Sequence, residues 1–169
     1  MVQKATARLV FVAMAALSPF VLQAEGGPAP LKGGYTVTFP EKATEKEVAP
    51  SPSSKTTVYS VNRNDASFVS GYTEYAKNID LTVELAADID AFVKSIGAEV
   101  TSQKRTDLIS AKSGRMPRVD FTFEGDHFAG RGLAVVTTPR SVIMVSAFSA
   151  KPGSHEQADR FVDSFQLAE

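Results

Sequence analysis

Between residues 35 and 167 the apolar positions change period several times, and each change marks an element. Tyr35, Val37 and Phe39 alternate with Thr36 and Thr38 and stop at Pro40, which predicts a strand over 35–39 with one inward face. Residues 41–54 are charged, then rich in Pro and Ser, and read as a mobile loop. Two β-rich runs, 56–61 and 66–75, flank Asn62-Arg63-Asn64-Asp65, residues that tolerate tight turns, so a hairpin is expected there. The period then becomes helical over 82–96, where Leu85, Ile89, Phe92 and Ile96 fall on one face. Asp80 or Thr82 is placed to cap this helix, Glu84 suits its first turn, and Gly97 suits its left-handed end.

Four more strands follow. The first, 100–108, has the weakest pattern. Val119, Phe121 and Phe123 alternate with Asp120, Thr122 and Glu124, one buried face against one wet face. Gly125-Asp126 turns the chain into a strand over 127–138, and Pro139-Arg140 turns it again. Residues 141–150 are apolar on both faces, Val142, Met144 and Phe148 against Ile143, Val145 and Ala147. That pattern belongs to a strand in the middle of a sheet covered on both sides. Pro152-Gly153 breaks it. Ser154 and Gln157 then match a capping box, and Ala158, Phe161, Val162 and Phe165 make the apolar face of a closing helix. Three strands, a helix, four strands and a helix, with short turns and no repeat, predict one α+β domain over 34–169. Its core would be a mostly antiparallel sheet of about six or seven strands with one helix on each face.

The first 24 residues have a different character. Lys4 and Arg8 precede a nine-residue apolar run from Leu9 to Leu17, and Pro19 and a small residue, Ala24, follow. That is the order of a secretory signal, with cleavage expected between Ala24 and Glu25 although Leu22 sits where a smaller residue is preferred. The run is short of the roughly 20 residues needed to span hydrocarbon, and Pro19 interrupts a helix soon after it. Residues 25–33, with Gly26-Gly27-Pro28-Ala29-Pro30, read as a flexible lead-in. The product is expected to be exported, periplasmic or secreted, with no stable membrane anchor after cleavage.

Composition narrows this further. The chain has no cysteine, which removes a lipid-modified N-terminus, disulfides, Cys-based zinc sites and thiol catalysis together. An exported domain of this kind has to stand on its core alone, and a chain of this size can do so. Without Lys4 and Arg8 there are 16 basic against 19 acidic residues, a net charge of −3. Nucleic-acid binding, which needs an excess of Lys and Arg, is not expected. There is no Trp, which disfavours a carbohydrate-stacking surface.

Three short stretches look familiar. Gly34-Tyr35-Thr36-Val37-Thr38-Phe39-Pro40 resembles the opening G-aromatic-x-V-x-F-P of bacterial PsbP/Mog1-like domains. Gly114-Arg115-Met116-Pro117-Arg118 resembles their loop with Gly, Pro and Arg ahead of a strand, although here Pro117 is followed directly by Arg118. Asp159-Arg160-Phe161-Val162-Asp163-Ser164-Phe165-Gln166-Leu167 resembles their closing R-F-x-x-S-F-x-L. The resemblance runs over about residues 33–168, and it implies an antiparallel sheet sandwiched between helices. Relatives include an extrinsic photosystem II subunit and a Ran-binding protein, and many bacterial members have no assigned role. The resemblance therefore implies a fold and not an activity.

Candidate chemistry is sparse. There is no G-x-S-x-G elbow, and no cofactor is expected. Glu124-Gly125-Asp126-His127 is the best ligand cluster for a divalent metal or an acid–base site, although Gly-Asp is also ordinary turn chemistry. His155 reads as a solvent-facing residue in the first turn of the closing helix. Asp88 and Asp90 are two apart on a helix, point in different directions and read as solvated. Lys104, Arg105, Lys112, Arg115 and Arg118 fall within fifteen residues that hold one acid, Asp107. Clustered, they could grip an anionic partner; dispersed, they are a solvated strand edge. The leading expectation is a non-enzymatic module that binds a protein or an anionic envelope component through a sheet edge or this basic loop. The alternative is a ligand or lipid carrier with an apolar cavity lined by Phe92, Phe121 and Phe123. An enzyme built on Glu124, Asp126 and His127 ranks last.

Overall fold

The computed structural model describes residues 30–80, 83–112, 114–151 and 155–168. The expected secretory signal, its expected cleavage point between Ala24 and Glu25, and the capping candidates Thr82 and Ser154 lie outside the described residues. In chain order the elements are β1 (Tyr35–Thr36), β2 (Thr44–Ser51), β3 (Ser54–Asn62), β4 (Ala66–Tyr75) and α1 (Glu84–Ser95). After them come β5 (Glu99–Ser110), β6 (Gly114–Glu124), β7 (Phe128–Thr138), β8 (Ser141–Ala150), α2 (Glu156–Asp163) and β9 (Gln166–Leu167). Seven strands form one antiparallel sheet in the order β2-β3-β4-β8-β7-β6-β5, and β1 pairs with β9 in a two-stranded sheet beside it. The domain is α+β.

β8 occupies the middle of the seven strands. Its residues from Ser141 to Ala147 are buried without a break, which is what a strand apolar on both faces requires. The helices lie on opposite faces. On one, Ala158, Phe161 and Val162 of α2 pack with Phe68, Leu133, Val135, Ile143 and Val145. Phe161 meets Phe68 edge-on at 5.4 Å between ring centroids. On the other face, Leu85, Ile89, Phe92 and Val93 of α1 pack with Val119, Phe121, Phe123, Val142 and Met144. Gly97, at φ 73°, ends α1 as expected, and the Ala98 N–H returns to the Val93 carbonyl at 3.1 Å. Gly130 and Gly132 of β7 leave room for the Phe123 and Phe121 rings, which cross the strand where a Cβ would stand.

Four expectations are corrected. Residues 41–54 are not a loop, because 44–51 form β2, paired with β3 from Thr44↔Ser60 to Val48↔Thr56. Every residue of β2 is exposed or half-buried, so no apolar period announces it. Its backbone pairs the outer edge of β3, which would otherwise be left open, and Pro50 falls in the irregular stretch between Val48 and Ser51. The strand over 35–39 shortens to Tyr35–Thr36. Val37 still turns inward at 4 % exposure, Phe39 packs on Phe161, and the Thr38 N–H goes to the Ser164 hydroxyl at 2.8 Å. Leu31, expected in a free lead-in, packs on the core, and its N–H meets the Tyr35 carbonyl at 2.7 Å. Finally, the N-cap residues are not the ones expected, and neither makes a side-chain cap hydrogen bond. Val83 and His155 hold the N-cap positions, and the Asp80 carbonyl, not its side chain, receives the Glu84 N–H.

Candidate functional site

The β5–β6 hairpin carries all five cations of the basic stretch, and strand geometry separates them. Lys104 stands opposite Asp120, Arg105 opposite Val119, Arg118 opposite Thr106 and Arg115 opposite Ile109. Opposed residues share a face of the sheet and successive residues alternate. Met116 joins the core under α2, whereas Val119 joins the core under α1. Lys104 and Arg118 therefore point to the α2 side, Arg105 and Arg115 to the α1 side, and Lys112 sits in the turn. Arg115 and Arg118 are also committed to carboxylates. The Arg115 Nε donates to Asp107 at 2.7 Å. Arg118 forks onto Asp120, with Nε 3.0 Å from Oδ2 and Nη2 2.5 Å from Oδ1. The hairpin does not gather the five into one anion-binding patch.

The hairpin instead presents a long edge. β5 is the last strand of the sheet, twelve residues long, and not one of its side chains is buried. A bulge between Val100 and Ser102 sets both Thr101 and Ser102 against Thr122, whose hydroxyl meets theirs at 2.7 and 3.0 Å. Near the tip, Ile109 is 82 % exposed.

A cleft of about 420 Å³ opens between the start of α2 and strands β5 to β7, lined by Thr122, Arg131, Lys151, His155 and Asp159 among others. Its cations are already partnered. Arg131 reaches Asp159 at 3.4 Å and Asp163 at 2.9 Å, and Lys151 pairs with Glu124. His155 is exposed, as expected, and its Nδ1 lies 2.6 Å from the Ser149 hydroxyl. The Glu124, Asp126 and His127 cluster does not converge. All three are exposed around a turn closed by the Gly125 N–H to the Phe128 carbonyl, and Glu124 faces Lys151. Among the described residues no group of three or more His, Asp or Glu is placed to hold a metal ion.

Phe92, Phe121 and Phe123 are at most 2 % exposed and pack on one another, with centroids 6.1 Å apart for Phe92–Phe123 and 6.0 Å for Phe121–Phe123. These rings pack in the layer between α1 and the sheet.

Asp88, expected in water, is 2 % exposed beneath α1, where its Oδ2 accepts a 2.5 Å hydrogen bond from the Tyr75 hydroxyl. Burial is the main cause that pushes its carboxyl up to about 7; Glu84 adds to the rise and the Tyr75 hydrogen bond opposes it. Asp90 is exposed and pairs with Lys94 at 2.7 Å. The spacing held a signal for Asp88: it lies three after Leu85 and four before Phe92, inside the apolar stripe.

Against known proteins, no family model matches the chain and no curated protein matches it either. Among the described residues no helix is long and apolar enough to cross a membrane.

Proposed function

We propose that the chain is an exported, non-enzymatic binding module with a PsbP/Mog1-like domain, and that it takes up an extended segment of a protein partner along β5. One observation carries this reading: among the described residues no strand lies beyond β5, which ends the sheet with twelve residues, none of them with a buried side chain. A peptide added there as an eighth strand gains main-chain hydrogen bonds, and alternate side chains give selectivity. The opposite edge is shorter and better guarded, since β2 has eight residues and carries Glu45, Lys46, Glu47 and Pro50. Lys104, on the α2 side of β5, favours a partner segment with an acidic side chain on that face. Export rests on the charge and hydrophobic order of residues 1–24.

The test is site-specific photocrosslinking in cells of the native host. A photoreactive side chain replaces Ser102 or Thr106 on β5, or Lys46 on β2, in the full chain. The reading expects a discrete protein adduct from β5 that β2 does not give and that Lys104→Glu weakens. Equal labelling from both edges, or none from β5, overturns it.

A further inference from the structure

Asp88 is used by none of the surface features, yet the fold buries it completely. Its carboxyl sits in the layer between α1 and the sheet, and its partner there is the hydroxyl of Tyr75, itself buried on β4. The sheet residues that build this layer from β7 and β8 are apolar: Ala134, Val136, Val142 and Met144. On its own helix the acidic Glu84 stands one turn earlier, and from the outer hairpin Arg105 and Arg115 point to the same side of the sheet. Among the described residues no Lys or Arg pairs with Asp88. Ionisation would therefore place an uncompensated charge in an apolar layer, with the acidic Glu84 nearby.

We propose that Asp88 is a proton-controlled latch for α1. Protonated, it lies with Tyr75 beneath the helix and lets the apolar face of α1 close on the sheet. Ionised, it draws toward water and loosens α1, while the other face of the sheet, held by α2, stays packed. A folded carboxyl titrating near 7 supports this, because the unfolded chain ionises the same group near 3.8. The sign follows: the contribution of the protonated latch is complete below about pH 4 and is lost as the pH rises through 7. The latch stands independently of the partner proposed for β5.

Hydrogen exchange read by mass spectrometry on the full chain tests it, with rates corrected for intrinsic exchange. Between pH 6 and pH 8.5 the amides of residues 84–95 are expected to lose protection about tenfold or more, while those of β8 hold theirs. Asp88→Asn should keep α1 protected across the range. Tyr75→Phe removes a hydrogen bond that favours the ionised form and should move the transition to higher pH. Carbon-13 titration of the Asp88 carboxyl in the unaltered protein gives a reading that needs no variant. A midpoint near 4, or α1 protection with the same pH dependence with and without Asp88, overturns the latch.

Discussion

Arg118 and Asp120, two residues apart on β6, point to the same side of the sheet and form a forked ion pair, with Nε to Oδ2 at 3.0 Å and Nη2 to Oδ1 at 2.5 Å. An arginine held this way has its planar donor array already filled. Removing Arg118 leaves the Asp120 carboxylate uncompensated and should lower affinity for polyanions slightly, while Asp120→Asn should raise it by releasing the guanidinium. Elution salt on a heparin or phosphocellulose column reads both outcomes. The pair is partly exposed, so either change should cost at most about 1 kcal/mol of stability.

Buried Tyr35 and Ser70 share a 2.6 Å hydrogen bond between β1 and β4. Tyr35→Phe leaves the Ser70 hydroxyl without that partner in an apolar surround and should cost about 1–3 kcal/mol. Tyr35→Phe with Ser70→Ala removes both polar groups and should recover most of the loss. Urea denaturation of the three variants checks this, and a double variant no better than the single would contradict it.

At Gly132 a Cβ would collide with the Phe121 ring and stand 2.7 Å from the Val145 carbonyl oxygen of β8. The ring can tilt, but the backbone oxygen of a central strand cannot. Gly132→Ala should therefore cost about 1–3 kcal/mol, and trimming Phe121 should not restore it. A shift in the urea midpoint with unchanged slope is the expected signature.

Global stability should also report the buried carboxyl. Below about pH 4 Asp88 is protonated in both the folded and the unfolded chain, and Asp88→Asn should be nearly neutral. Between about pH 4 and pH 7 the unfolded chain gives up a proton that the folded form retains, so the unaltered protein weakens over that range and levels off above it. By pH 8 the Asn variant should be the more stable by up to about 4 kcal/mol. Urea titrations at pH 4, 6 and 8 measure the divergence.

The parts of this fold that were legible in the sequence are those in which one face is apolar and the other wet, or both are apolar. Val119, Phe121 and Phe123 announced β6, and the doubly apolar run of β8 announced its central place. β2 escaped because its pairing is a backbone matter and its side chains all meet water. β9 escaped because two residues cannot show a period. The basic stretch misled for a related reason. Closeness along a strand is not closeness on a surface, and Lys104 and Arg105, being consecutive, have to face opposite ways. Asp88 shows the converse, a charged residue inside an apolar stripe whose burial only the packed helix reveals.

All but one of the contacts in the large sheet join strands that follow one another along the chain. β2 to β4 form one meander and β5 to β8 another, and the exception is the seam between β4 and β8, from Ala66↔Ser149 to Glu74↔Ser141. The two meanders can each condense early from local turns, whereas the seam has to close a long loop that includes α1. Substitutions along the seam should thus govern how fast the protein forms, and those in the outer hairpins how fast it comes apart.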